Sequence, residues 1–409
     1  MTSSRAQPSL SAVEAALRTT TERFATELAR PSQGGPDWSA FEWQTARAVA
    51  AMHGVSPLLA ATLRWQGPSE WQCFLGAQRA HTERRHRRIE ELLRLIDDAT
   101  RAAGVPVVAL KGAALHALGL YRAGDRPMAD LDLLVREEDV DLTSGLLEAL
   151  GYRATHTYWR HRSFSAAGGI VHGSLGEHAD NYLKIELHER ICEALPIRRA
   201  ELTDFVLCTQ PRPGLNPYQT NAALMAHLLL HASGNIARRS VRLLHLHDIA
   251  LLATRMNAGE WEILARHDAN TDPPWWALPP LALTAHYYPD AIPRAALETL
   301  SRFCPRRLRW SARRSRLTDV SLSRLWIEAF PGISWARSAS EAAEYVFKRI
   351  FPDHEARLTR KSETATEPGL AQNPWSHLNQ RRRILRWMVS RPPRPATMHA
   401  VRAALDTSG

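Results

Sequence analysis

The sequence predicts an α+β protein: a small mixed-sheet core with N-terminal helices and a larger, mostly helical C-terminal region. Three observations carry that expectation. Short apolar runs with period-two alternation are confined to about residues 104–190, the signature of strands whose side chains point alternately to opposite faces. On either side, apolar residues recur at helical spacing. The length, 409 residues, leaves room for more than one domain.

After a polar leader, Leu10–Leu28 and Trp43–Arg64 have helical spacing, with Pro57 expected to break or kink the second. Trp71–Ala102 reads as a long amphipathic helix. Its stretch HTERRHRRIEELLRLIDDA sets Ile89, Leu92, Leu93 and Ile96 on one face, and the charges are read as a solvated face ahead of a polyanion-binding one. The pattern changes at Gly104. GVPVVAL predicts a strand over Val105–Leu110, followed by Lys111–Gly112 and a short helix over Ala113–Leu120. MADLDLLV predicts a strand with Leu131, Leu133 and Val135 on one face and Asp130 and Asp132 on the other. Glu137–Leu150 is helical and stops at Gly151. Strands are expected at Tyr152–Arg160 and Ala166–His172, then a turn over Gly173–Asn181, then YLKIELH as a strand over Tyr182–His188.

From Leu195 strand signals recede. Pro211, Pro213 and Pro217 mark a connection, and helices are expected over Tyr218–Ala232, Arg238–Met256 and Glu260–His267. Beyond the Pro-rich TDPPWWALPP come helical patterns at Leu281–Tyr288, Ala296–Phe303, Leu317–Ala329 and Ser338–Ile350. A polar stretch, Lys361–Asn373, leads to a basic helix candidate over Leu378–Ser390, and Pro392, Pro393 and Pro395 argue against its continuation.

Composition narrows the function classes. The net charge is +10, from 52 basic and 42 acidic residues, and only Lys111, Lys184, Lys348 and Lys361 are lysines. Arginine binds phosphate but also packs along apolar surfaces, so the excess alone does not make a nucleic-acid protein. Cys73, Cys192, Cys208 and Cys304 form no CxxC pair, which argues against a zinc staple and for ordinary packing. No apolar run approaches the roughly 18–20 residues that cross a bilayer, and Met1–Ser9 lacks a signal core. A cytoplasmic protein without a membrane partner is expected; no sequence signal bears on oligomeric state.

The chemistry concentrates on carboxylates. Asp130 and Asp132, two apart on a strand, project from one face, where like charges repel unless a cation compensates them. Glu186 on another strand offers a third acid, flanked by Lys184 and His188 on the same face. Such a trio can hold divalent cations or take a proton from an attacking hydroxyl, and His188 can move or orient a proton beside it. An equally direct reading makes Lys184–Glu186 an exposed ion pair. Gly112 permits close backbone approach to a phosphate, and Lys111 can neutralise phosphate charge. Arg126 can hold a triphosphate or pair with Asp125. Further on, His227 and His231 are i and i+4 on one helical face, read as packing or pocket lining, and Asp248 is placed to orient His245 or to pair with a neighbouring arginine.

In LKGAAL (Leu110–Leu115), DRPMADLDLLV (Asp125–Val135) and LKIELH (Leu183–His188), the chain resembles the uncharacterised nucleotidyltransferase family of the polymerase-beta-like nucleotidyltransferase superfamily. The resemblance implies transfer of a nucleoside monophosphate from a nucleoside triphosphate, ATP foremost, with release of pyrophosphate. It implies Mg²⁺, with Mn²⁺ as the alternative. Asp130, Asp132 and Glu186 match the metal-holding acids, and Lys111, Gly112 and Arg126 the phosphate-facing region. The chain departs from the superfamily in carrying Lys111–Gly112–Ala113 where Gly–Ser is usual, with seventeen residues between Gly112 and Asp130. A small-molecule or peptide acceptor is expected, RNA is the weaker alternative, and a non-catalytic nucleotide-binding protein is a third reading. The resulting division is an N-terminal helical region (1–103), a nucleotidyltransferase core (104–195), a helical acceptor or packing domain (196–360) and a polar, basic tail (361–409).

Overall fold

The computed structural model describes residues 8–157, 161–166, 168, 172, 175–266, 273–354, 357 and 378–406. Helices α1 (Leu10–Ala29), α2 (Ala40–Met52), α3 (Ser56–Thr62) and α4 (Ser69–Ala102) precede the sheet. Ser39 starts α2 with a capping box, its hydroxyl accepting from the Glu42 amide while Glu42 reaches back to the Ser39 amide. The predicted Trp43–Arg64 segment is two helices. Pro57 lies in the first turn of α3, where its missing N–H costs nothing, and the break falls at Gly54 in a left-handed conformation.

The strands are β1 (Pro106–Ala109), β2 (Asp130–Leu134), β3 (Tyr152–Thr157), β4 (His161–Ala166), β5 (Lys184–His188), β6 (Cys192–Ala194), β7 (Arg199–Glu201) and β8 (Gly214–Asn216). Six form one mixed sheet in the order β3-β4-β5-β2-β1-β8, and β6 and β7 pair separately. The β2–β5 and β1–β8 pairs are parallel and the others antiparallel. The fold is α+β with a mixed sheet. Strand β4 at His161–Ala166, which pairs with β3, was not expected; most of the strand expected at Ala166–His172 and part of the expected turn lie outside the described residues.

Each sheet face has its own core. Leu131, Leu133, Ile185, Leu187 and Phe164 pack with Ile89, Leu92 and Ile96 of α4 and with Val140 and Leu147 of α6 (Val140–Ala149). The opposite face joins Val108, Leu110 and Leu134 to the large helical core. The charged run on α4 is partly structural. Arg85 is buried and donates to the Asn181 carbonyl at 2.9 Å and the Met128 carbonyl at 3.2 Å, while it pairs with Glu177 at 3.0 Å. It thereby fixes the entries to both β2 and β5.

After α5 (Lys111–Ala117), α6 and α7 (Thr203–Val206), the chain runs through α8 (Asn221–Arg238), α9 (Leu243–Ala253), α10 (Ala258–Arg266), α11 (Leu278–Tyr287), α12 (Arg294–Phe303), α13 (Arg306–Arg314), α14 (Leu317–Val320) and α15 (Ala339–Ile350). The expected Arg238–Met256 helix is interrupted: Arg239 adopts φ 60° and ends α8, so α9 starts afresh. The candidate at the C-terminal end forms as Gln380–Ser390. A further helix, Pro395–Asp406, was not expected; Pro395 occupies its first turn, the one helical position that tolerates proline. Lys361–Asn373 lies outside the described residues. Cys192 and Cys304 are buried and Cys73 is exposed. Among the described residues no helix is long and apolar enough to cross a membrane.

Candidate active site

Alternation and register together build one polar sheet face. On β2–β5, Asp130 lies opposite Lys184, Asp132 opposite Glu186 and Leu134 opposite His188. On β4–β5, Ser163 lies opposite Glu186 and His161 opposite His188. Directly paired residues share a face, so the two aspartates, Glu186, His188 and His161 emerge together. His161 is not among the residues expected from the sequence, which ends the strand at Arg160; only the β4–β5 register sets it opposite His188.

Asp132 is the hub. Its Oδ1 accepts from Lys111 Nζ at 3.0 Å and lies 3.0 Å from His188 Nε2. Glu186 Oε1 pairs with Lys184 Nζ, and Oε2 stands 3.7 Å from His161 Nε2 and 3.8 Å from His188 Nε2. His161, Glu186 and His188 each offer one ligand atom, all within 4.8 Å of one another, a nitrogen-rich set beside the aspartates.

The acids are electrostatically unequal. Burial first, then repulsion from Asp132 and Glu186, pushes the Asp130 pKa up to about 7. Burial also opposes ionisation of Asp132, but Lys111 and His188 outweigh it and hold that carboxyl well below the usual range. Glu186 is likewise lowered: burial and Asp132 act against its charge, and His161, Lys184 and Lys111 prevail. Burial disfavours the Lys111 ammonium, yet Asp132, Asp130 and Glu186 together raise its pKa.

Lys111 sits at the turn from β1 into α5 with φ 45°, a left-handed conformation that costs a non-glycine residue roughly 1–2 kcal/mol. Its amide donates to the Tyr218 hydroxyl at 3.2 Å. That hydroxyl is also hydrogen-bonded to His227 Nδ1 at 2.7 Å. His227 thus packs under the turn, and His231 lines the cavity above it. At Gly112 a Cβ would clash with Arg126 Nη1 and meet Met128 Sδ at 2.9 Å, so the residue is needed for close packing.

Arg126 does not pair with Asp125, which binds Arg79 at 3.2 Å instead. Its Nε and Nη2 donate to the two Asp248 oxygens at 2.8 and 2.7 Å, and the Tyr121 hydroxyl donates to Asp248 at 2.6 Å. Asp248 accordingly pairs with an arginine far away in sequence, not with a neighbour, and its carboxyl is held below the usual range by Arg126 against burial. Arg126 Nη1 is left facing the Lys111–Gly112 turn.

A cavity of about 1210 Å³ opens over this face. Lys111, Gly112, Arg126, Asp130 and Asp132 are in its wall, whereas Glu186 and His188 stand one strand further over and outside it. The wall also includes Arg349, Arg383 and Trp387 near the C-terminal end, which sequence reasoning did not connect to the acids. Long-range packing alone brings them there.

Residues 39–272 match the family described as uncharacterised nucleotidyltransferase, a span that includes every strand of both sheets. No curated protein and no solved structure matches the chain. With more than half of its length matched, the chain belongs to the uncharacterised nucleotidyltransferase family and is by family a transferase of nucleotidyl groups.

Proposed function

We propose that the protein moves a nucleoside monophosphate from a nucleoside triphosphate, ATP foremost, to a small-molecule or peptide acceptor, releasing pyrophosphate. The observation that carries this reading is the register of Asp132 against Glu186, with Asp130 two residues away on the same face and Lys111 bonded to Asp132 in the cavity wall.

These residues fit Mg²⁺, or Mn²⁺ in its place. The donors at the wall are carboxylate oxygens, the ligand type hard divalent cations take. Burial, and then repulsion from Asp132 and Glu186, raises the Asp130 pKa, and a cation beside it would offset that repulsion. Asp130, Asp132 and Glu186 would hold the cation. When bound, it would neutralise charge on the triphosphate oxygens.

The remaining roles belong to the chain. Lys111 and Arg126 Nη1, which donates to the Pro127 carbonyl at 3.4 Å, bind phosphate oxygens at the Gly112 turn. The acceptor oxygen forms a bond to the alpha phosphorus as the bond to the bridging oxygen breaks, and pyrophosphate leaves. The acceptor proton passes to a carboxylate. His188, bonded to Asp132, is a positioning residue.

The test uses the purified protein, labelled nucleoside triphosphates, Mg²⁺ or Mn²⁺ and acceptor pools, with mass spectrometry for a nucleotidyl adduct and a pyrophosphate assay. Transfer lost in Asp130→Asn and Asp132→Asn supports the reading. Wild-type transfer in both, with folding unchanged, overturns the carboxylate assignment.

A further inference from the structure

The cavity is larger than one reactant requires. At about 1210 Å³ it exceeds the roughly 300–1,000 Å³ of an ordinary ligand pocket. The wall that carries Asp130, Asp132 and Lys111 also carries Trp326, Lys348, Arg349, Arg383 and Trp387, all beyond the family match that ends at residue 272.

Arg349 and Arg383 converge on a single indole there. Their guanidinium carbons lie 5.9 and 5.3 Å from the ring centroid of Trp387, which is itself buried. Among the described residues neither arginine has a carboxylate partner. Arg349 Nε donates to the Ala329 carbonyl at 3.2 Å, and Arg383 Nε is buried with no hydrogen-bond partner. Burial, and then repulsion from Arg349, lowers the Arg383 pKa. Glu328, an acid in the same wall, is engaged by Arg239 at 2.9 Å and Arg324 at 3.4 Å. Lys348 pairs outward with Glu344 at 2.6 Å. Two like charges gathered on one ring, half-buried and without a counter-ion among the described residues, repel each other, and an anion would relieve that repulsion. Guanidinium forks match phosphate and carboxylate.

We propose that Arg349 and Arg383, seated on Trp387, form an oxyanion subsite in the wall of the cavity, and that it takes a small acceptor carrying a phosphate or carboxylate group. Calling that ligand the acceptor rests on the nucleotidyl-transfer reading; the anion subsite itself does not. The acids hold the nucleotide, and the arginines hold the second reactant in the same cavity. Only an acceptor with an anionic handle is then positioned for attack.

Calorimetry on the full chain without nucleotide tests this with glycerol phosphate, succinate, neutral glycerol and a short oligoribonucleotide. The expected result is saturable binding of glycerol phosphate or succinate, whichever oxyanion the subsite prefers, and none of glycerol. Arg349→Gln/Arg383→Gln weakens that binding about tenfold or more. Arg349→Lys/Arg383→Lys, which keeps the charge but not the fork, falls between. Arg302→Gln/Arg402→Gln, an equal charge loss at exposed positions, binds like wild type. Equal affinity in all variants, or no saturable binding of either anion, overturns the subsite. Tighter, steeply salt-dependent binding of the oligoribonucleotide that is lost in the Arg349/Arg383 variants overturns the small-molecule class. Because no transfer is measured, a failed transfer assay leaves these outcomes readable.

Discussion

Arg126 and Asp248 join the sheet module to the helical region through a two-pronged, buried ion pair, 2.8 and 2.7 Å long, between residues 122 positions apart. The pair is closed on one side by the Tyr121 hydroxyl and stacked beneath the Tyr121 ring, whose centroid is 5.8 Å from the guanidinium. Removing one member of such a pair strands a buried charge, which typically costs about 3–5 kcal/mol. Asp248→Ala should therefore destabilise strongly in urea denaturation. The double replacement Arg126→Met/Asp248→Leu should recover much of that loss while nucleotide affinity stays reduced. Full stability in Asp248→Ala would remove the pair from its structural role.

Asp132 and Asp130 should separate in stability but not in activity. Asp132 is bonded to both Lys111 and His188, so Asp132→Asn weakens the fold as well as the site. Asp130→Asn relieves repulsion between carboxylates and should stabilise or leave stability unchanged. Both should lose transfer by about 100-fold or more, since substitution of the outer partners of metal ligands already costs about 10–100-fold. Thermal melts beside the transfer assay check the split.

His53 predicts an acid-sensitive fold. It is fully buried, its Nδ1 accepts from the Leu243 amide at 2.9 Å, and Nε2 lies 2.9 Å from the Ser323 hydroxyl. The amide can only donate, so the neutral ring carries its proton on Nε2. Burial, then Arg242, lowers its pKa to about 3, below the unfolded value of 6.5. The unfolded chain thus binds the extra proton between those values, and stability falls as pH falls through that window. One such group contributes about 2 kcal/mol of loss between roughly pH 7.5 and 5. Urea titrations at the two pH values should show it, and His53→Gln should flatten the slope.

Gly112 should not tolerate a methyl group. The added Cβ meets Arg126 and Met128, and shifting them disturbs the Arg126–Asp248 pair. Gly112→Ala should destabilise by about 1–3 kcal/mol and weaken nucleotide binding, measured by melting with and without ATP. An unchanged melt and affinity would show that the turn has room to yield.

What the sequence disclosed, and what it withheld, follows from the range of the interactions. DLDLL and KIELH revealed their strands because alternation is local, and the shared face of Asp130 and Asp132 followed directly. Their placement opposite Lys184 and Glu186 needed the parallel register, which no local pattern encodes. For Arg126 the sequence offers a triphosphate or the adjacent Asp125; Asp248, the side chain it pairs with, is 122 positions away and carries no local signal. The break between the two helices is expected at residues 233–237 and falls instead after Arg238, where Arg239 takes a left-handed backbone. Arg349 lies in the expected helix over Ser338–Ile350 and Arg383 in the basic helix candidate, and only the folded cavity brings both into one wall with Asp130 and Asp132.

The short strand β8 changes how the sheet module must be assembled. It adds to the edge of β1 from beyond residue 195, and two residues later Tyr218 fastens the Lys111 amide. A fragment cut after the last acid-bearing strand would carry the three acids and the lysine, yet lack both that edge and that hydroxyl. On the ribosome, the strained lysine turn therefore cannot lock until more than a hundred further residues have emerged. The catalytic-looking motifs are contiguous in sequence space, but their working geometry is completed late, by chain that bears no catalytic signature of its own.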